Sequence, residues 1–214
     1  MSTKPHVIFD FGVVLFRWRP EVVLRQTLPG RVRDAASAAH WKAQIFQDYG
    51  GDWGDFDAGL LEVPELVARI ATRTGLTPAE VLTVVQAVPP ELEIKAGTVA
   101  IVQALRAAGH RLFYLSNMPE PYARHLETHH PLREWFEDGV FSARVRQRKP
   151  DPAIFHTALR QFGIPAADAL FIDDHPANIA TARGLGLPGL LFESPEQLAR
   201  DLRGRGLAVP AVIA

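Results

Sequence analysis

The chain has 214 residues, 47% hydrophobic and 22% charged, with a formal net charge of −1 at pH 7. That length holds one large domain, or one domain with a smaller insertion, around a sizeable core. Near-neutrality argues against a nucleic-acid or membrane-surface protein, and the absence of cysteine excludes disulfides, thiolate zinc sites and cysteine nucleophiles.

The first readable element is the apolar, β-branched run His6-Val7-Ile8-Phe9, the pattern of a strand buried on both faces. It is too short for a secretory signal, and no later apolar run approaches membrane-spanning length. A cytoplasmic location without a membrane partner is therefore expected. The run stops at Asp10. A carboxylate ending a buried strand has lost much of its solvation and needs a cation or donors beside it. Gly12 follows, where a backbone turns tightly or approaches a ligand closely.

Between Arg17 and Val88 no strand is readable. Pro20 opens a helix, a second runs from about Val32 towards Gln47, and residues 48–59 read as a Gly-, Asp- and aromatic-rich loop. Pro64 to Thr74 is a helix closed by Gly75. Thr77-Pro78-Ala79-Glu80 is a capping box opening another, and Val88-Pro89-Pro90-Glu91 reads as an exit linker because two prolines end a helix. Residues 17–90 are thus expected to be a small helical insertion, with 1–16 and 91–214 forming the main domain.

From Gly97 onward helices and strands alternate. The strands are 111–115, ending at Ser116-Asn117, then 140–141, then 169–172, ending at Asp173-Asp174, and 190–192. A helix opens at Asp151-Pro152, and Ser194-Pro195-Glu196-Gln197 caps the last one. The apolar tail, 207–214, is expected to cover the core or to add an edge strand. Strands separated by helices of this length imply an α/β fold with a doubly wound parallel sheet. Such sheets bind ligands at the carboxyl ends of their strands. Asp10, Ser116-Asn117 and Asp173-Asp174 would then converge, with Lys149 just before a helix start. Three carboxylates in one small volume repel one another. A divalent cation with oxygen ligands, Mg²⁺ by preference, relieves this, and Lys149, Ser116 and Asn117 suit an anionic ligand such as phosphate.

Four segments in order carry a resemblance: 10–15 (DFGVVL), Leu115-Ser116-Asn117, Arg148-Lys149-Pro150-Asp151-Pro152, and Phe171-Ile172-Asp173-Asp174 with Asn178. Together they resemble the haloacid dehalogenase superfamily, in its phosphatase-like branch with a helical cap inserted after the first motif. The resemblance implies a Rossmann-like core, a cap at 17–90, and a Mg²⁺-dependent phosphatase acting on a small phosphorylated metabolite such as a sugar phosphate. It implies that Asp10 is the nucleophile and forms an aspartyl-phosphate. Asp10, the Gly12 carbonyl and Asp174 hold Mg²⁺, Asp173 acts through water, and Asn178 orients it. Ser116, the Asn117 backbone and Lys149 bind the phosphoryl oxygens. Oligomeric state, monomer or homodimer, is not readable.

One position departs from the family pattern. Many relatives carry a second Asp two residues after the nucleophile as general acid and base; here Gly12 stands there. Unless His175 or a cap carboxylate (Asp52, Asp55 or Asp57) supplies the proton, substrates with acidic leaving oxygens should be favoured. The rival readings are a 2-haloacid dehalogenase, which needs no metal, and a regulatory member with weakened turnover. Tyr49 and Trp53 are expected to line the substrate pocket. The basic run Arg144, Arg146, Arg148 and Lys149 reads as a loop that presents Lys149 while its neighbours stay solvated, and His125, His129 and His130 as a solvated helix end.

Overall fold

The run before Asp10 forms β1 (His6–Phe9), the middle strand of a five-stranded parallel sheet, in a computed structural model that describes residues 4–212. The other strands are β2 (Leu112–Ser116), β3 (Asp138–Phe141), β4 (Ala169–Asp173) and β5 (Gly189–Leu191), in the spatial order β3-β2-β1-β4-β5. The chain winds outward from β1 in one direction, then returns and winds in the other, as in a doubly wound sheet. Phe9 lies beside Tyr114 of β2 and Ile172 of β4. The carboxyl ends of β1, β2 and β4 therefore meet at one edge.

The first five of the six α-helices between β1 and β2 are α1 (Pro20–Thr27), α2 (Ala35–Phe46), α3 (Gly51–Asp57), α4 (Val63–Thr74) and α5 (Pro78–Glu91). The remaining helices are α6 (Ala96–Ala107), α7 (Glu120–His129), α8 (Leu132–Trp135), α9 (Ser142–Val145), α10 (Pro152–Phe162), α11 (Pro176–Gly184) and α12 (Pro195–Gly204). None among the described residues is long and apolar enough to cross a membrane. The two connections to the insertion run side by side, with Arg17 N–H donating to the Glu93 carbonyl at 2.7 Å and Lys95 N–H to that of Leu15 at 2.9 Å. Alternate strand residues face opposite sides of the sheet. Ile8, Phe113 and Phe171 pack under α10 and α11 with Phe155 and Ile179. Val7, Phe9 and Ile172 share one continuous core with Val23, Leu66, Ile70 and Val81 of the insertion.

Two expectations need correction. Residues 48–59 are not an open loop: a 3₁₀ turn at Gln47–Tyr49 leads into α3. Gly and Asp are poor helix formers, but α3 buries Trp53 and Phe56, and Trp53 meets Phe46 edge-on at 4.5 Å between ring centroids. Burial of that aromatic face outweighs local propensity. Nor do Pro89 and Pro90 form a linker, since both lie in the last turn of α5. Pro89 has no N–H for the Val85 carbonyl four residues back, and the Tyr122 hydroxyl donates to that carbonyl instead at 2.9 Å. In the tail, Leu207 and Val209 pack on the core and no strand forms among the described residues. Residues 1–3 of the expected main domain and 213–214 of the tail lie outside the described residues.

Tyr122→Phe keeps the ring and removes the donor, leaving a buried carbonyl unpaired. The expected loss is about 1–3 kcal/mol, read from the denaturant midpoint. An unchanged midpoint would show that α5 tolerates its prolines by other means.

Candidate active site

Asp10 follows β1 directly, Ser116 and Asp173 are the last residues of β2 and β4, and Asp174 comes next. Lys149 reaches them from the loop between α9 and α10. Its ammonium is buried, 2.8 Å from Asp10 Oδ1 and 2.6 Å from Asp173 Oδ2. The Asn117 side chain holds that loop at two points. Its Oδ1 accepts from Lys149 N–H at 2.8 Å, and its Nδ2 donates to the Lys149 carbonyl at 2.9 Å. Asp173 is saturated further by His175 N–H at 2.8 Å and by Asn178 Nδ2 at 2.9 and 3.0 Å from its two oxygens. Ser116 Oγ is buried and has no partner within the protein.

One oxygen from each of Asp10, Asp173 and Asp174 lies within 4.8 Å of the others, the one such group of three among the described residues. Three carboxylates face one ammonium, so the cluster keeps an excess of negative charge. Burial pushes Asp10 up to about 7; Lys149 opposes the rise, and Asp173 and Asp174 add to it. Burial and the neighbouring Asp173 likewise push Asp174 up to about 6. Burial acts against the Lys149 charge, but Asp10 and Asp173 outweigh it and hold the ammonium above its ordinary pKa. Hard oxygen donors with surplus negative charge suit Mg²⁺. The Gly12 backbone borders the same cavity, and no atom lies within 4 Å of where a side chain there would begin. The residues present thus fit a divalent cation.

The insertion supplies the opposite wall of this cavity, which measures about 230 Å³. Tyr49 and Trp53 both border it. Trp53 is mostly buried among Phe46 and Phe56, so it serves the insertion's core as well. The Tyr49 hydroxyl accepts from Trp18 Nε1 at 2.8 Å, and burial pushes its pKa up to about 12. Of Asp52, Asp55 and Asp57, Asp57 alone borders the cavity; the exposed Asp48 of the 3₁₀ turn borders it too. Asp52 pairs with Arg73 at 3.0 Å. Burial pushes Asp57 up to about 8 against the pull of Arg148. His175 also borders the cavity, with its backbone N–H spent on Asp173.

Sequence reasoning missed Arg148, whose guanidinium donates to the Tyr49 carbonyl at 2.7 Å and ties the insertion to the lysine loop. It also missed Lys95, which donates to the Val13 carbonyl at 2.7 Å beside Gly12. Arg148 was visible as one of a basic run and as the start of the Lys149 segment, but with no role of its own. Arg144 and Arg146 stay at the surface, with Arg144 pairing to Glu120 and Glu127. His125 and His129, one turn apart, stack at 4.1 Å.

The profile described as haloacid dehalogenase-like hydrolase matches residues 7–186. The sesquiterpene phosphatase astK of Aspergillus oryzae is 26% identical over 203 residues, which cover 94% of this chain and 96% of that protein. A phosphoglycolate phosphatase of Rhodospirillum rubrum is 39% identical over 92 residues, covering 43% of this chain and 38% of its own. The HAD family enzyme BT-2542 of Bacteroides thetaiotaomicron, solved with magnesium and inorganic phosphate, aligns with TM-score 0.70 at 20% identity. It covers 89% of this chain and 95% of its own, which shows a shared fold.

The raised Asp57 pKa has a consequence for stability. An acid whose folded pKa lies above its unfolded value binds the proton more tightly when folded. Its contribution is therefore present below about pH 4 and is lost as pH rises towards about 8. Asp57→Asn, which mimics the neutral acid, should unfold at a higher temperature than wild type at pH 8 and by a smaller margin at pH 5, both in chelator. A margin independent of pH would mean that Asp57 titrates normally.

Proposed function

The chain belongs to the haloacid dehalogenase-like hydrolase family, and from that premise we propose that it is a Mg²⁺-dependent phosphatase of small phosphate monoesters. The observation that carries this reading is the clustering of Asp10, Asp173 and Asp174 around one buried ammonium beside a cavity. A dehalogenase attacking carbon has no use for the Asp173-Asp174 pair, whereas phosphoryl transfer needs charge neutralised at the transferring oxygens.

In this reading Asp10, the Gly12 carbonyl and Asp174 would hold Mg²⁺, Asp173 would act through water, and Asn178 fixes Asp173. When bound, the ion neutralises charge on the phosphoryl oxygens. Lys149 and Ser116 Oγ bind those oxygens, the latter gaining the partner it lacks within the protein. Asn117 contributes chiefly by positioning Lys149. Asp10 then attacks phosphorus through a carboxylate oxygen; the P–O bond to the organic group breaks, leaving an aspartyl-phosphate that water hydrolyses. Residues 17–90 act as a cap that closes over the site and selects the organic group.

The cavity wall includes Trp18, Trp53, Val88, Leu92, Met118 and Tyr122. Such a lining favours an apolar organic group over a sugar, and the whole-length similarity to a protein named a sesquiterpene phosphatase points the same way.

Screening phosphate esters with and without Mg²⁺, with a haloacid control, tests the assignment. Asp174→Ala should abolish the rise in melting temperature that Mg²⁺ gives wild type and should lower phosphatase turnover at least about 10²-fold. Full turnover in the variant, or in excess chelator, would remove the metal from the account. Halide release without phosphate release would favour the dehalogenase.

A further inference from the structure

We propose that Asp57, carried across the cavity on α3, is the general acid and base whose usual position after the nucleophile is occupied here by Gly12. The inference rests on the phosphatase reading above. A phosphoryl transfer that releases an alcohol needs a proton at the leaving oxygen, and the core side of this cavity offers little to give one. Lys149 is committed to Asp10 and Asp173. The His175 ring is at the exposed start of α11. Asp57 is a buried carboxyl on the same cavity as Asp10, Gly12 and Asp174.

Its position is built rather than incidental. Ser142 Oγ, at the start of α9, donates to the Asp57 carbonyl and accepts from Met118 N–H at 2.8 Å. The last turn of α3 is thereby anchored to the loop after β2. Two residues on, Gly59 lies so close to α9 that a Cβ would stand 2.5 Å from the Ala143 carbonyl oxygen. A glycine is required for that approach, which brings the end of α3 down onto the core. The charged groups that act on Asp57 are Arg148, Asp10 and Lys149. Burial outweighs the two cations and keeps the carboxyl protonated near neutral pH, the state a proton donor needs.

The steps balance as follows. As the Asp10 oxygen bonds to phosphorus, the bond to the leaving oxygen breaks, its electron pair stays on that oxygen, and the Asp57 proton joins it to release the alcohol. Asp57, now a carboxylate, takes a proton from the water that attacks the aspartyl-phosphate. The phosphorus–Asp10 bond breaks, phosphate departs, and Asp10 is again a carboxylate and Asp57 again an acid. A cap residue in this role also makes proton transfer conditional on the cap resting on the core.

The test is kcat/KM with Mg²⁺ for a series of aryl and alkyl phosphates of rising leaving-group pKa. Wild type should depend weakly on leaving-group pKa. Asp57→Asn should lose about 10²–10³-fold on alkyl phosphates but less than about tenfold on aryl phosphates, which leave without a proton. Asp57→Glu, which keeps the acid, should recover part of the alkyl activity. Gly12→Asp in the Asp57→Asn background should recover more, since space is open at Gly12. Equal losses on both classes in a folded Asp57→Asn protein, or no loss, would overturn the assignment while leaving the phosphatase reading intact. A wild type that hydrolyses no phosphate ester would overturn both.

Discussion

A buried ammonium between two carboxylates organises this molecule. Lys149 lies 2.8 Å from Asp10 and 2.6 Å from Asp173, joining the carboxyl ends of β1 and β4 from a loop that Asn117 ties to the end of β2. Burying such charges is tolerable only when each is paired and hydrogen-bonded. That requirement fixes the register of three strands at once. A one-residue slip of β1 would turn Asp10 to the other face of the sheet and leave the lysine short of a partner. The pairing is also incomplete, since Asp174 adds a third carboxylate with no second cation. In the proposed function, a divalent cation would offset that excess.

The labour is divided between core and insertion. Charge resides at the strand ends, where neighbouring strands hold it rigidly. The apolar wall comes from Trp18, α3, α5 and Leu92 of the insertion and its connections, joined by Met118 and Tyr122 of the core. One continuous hydrophobic core runs from the sheet into these helices, and Arg148 and Ser142 add polar ties from the core to the Tyr49 and Asp57 carbonyls. In the proposed function, substrate choice and proton transfer thus belong to the insertion and metal binding to the strand ends.

The strand ends were legible because each is an apolar run cut off by a polar residue, and a parallel sheet collects such ends on one edge. Asp10, Ser116, Asp173 and Asp174 follow from that pattern, whereas Lys149 lies on a loop before α10 and was legible from its place ahead of a helix start and from the resemblance. The insertion was less legible. Residues 48–59 hide a helix because Gly and Asp mask its propensity, while its real driving force, Trp53 and Phe56 against Phe46, is tertiary. Reading the segment as a loop also concealed which carboxylate matters. On a helix Trp53, Phe56 and Asp57 share a face, and Asp52 and Asp55 share another, so only Asp57 turns inward. Pro89 and Pro90 misled for a similar reason: the hydroxyl that compensates for the missing N–H comes from Tyr122, on an element far along the chain.

The central claim is that Asp10, clamped by Lys149, is the group that accepts the phosphoryl moiety. Beryllofluoride with Mg²⁺ mimics an aspartyl-phosphate, and ¹⁹F NMR of the wild-type protein reads the adduct directly. The account predicts a bound fluoride signal that needs Mg²⁺, disappears in Asp10→Asn, and persists in Asp57→Asn. A signal that survives in Asp10→Asn, or forms equally well in chelator, would contradict it.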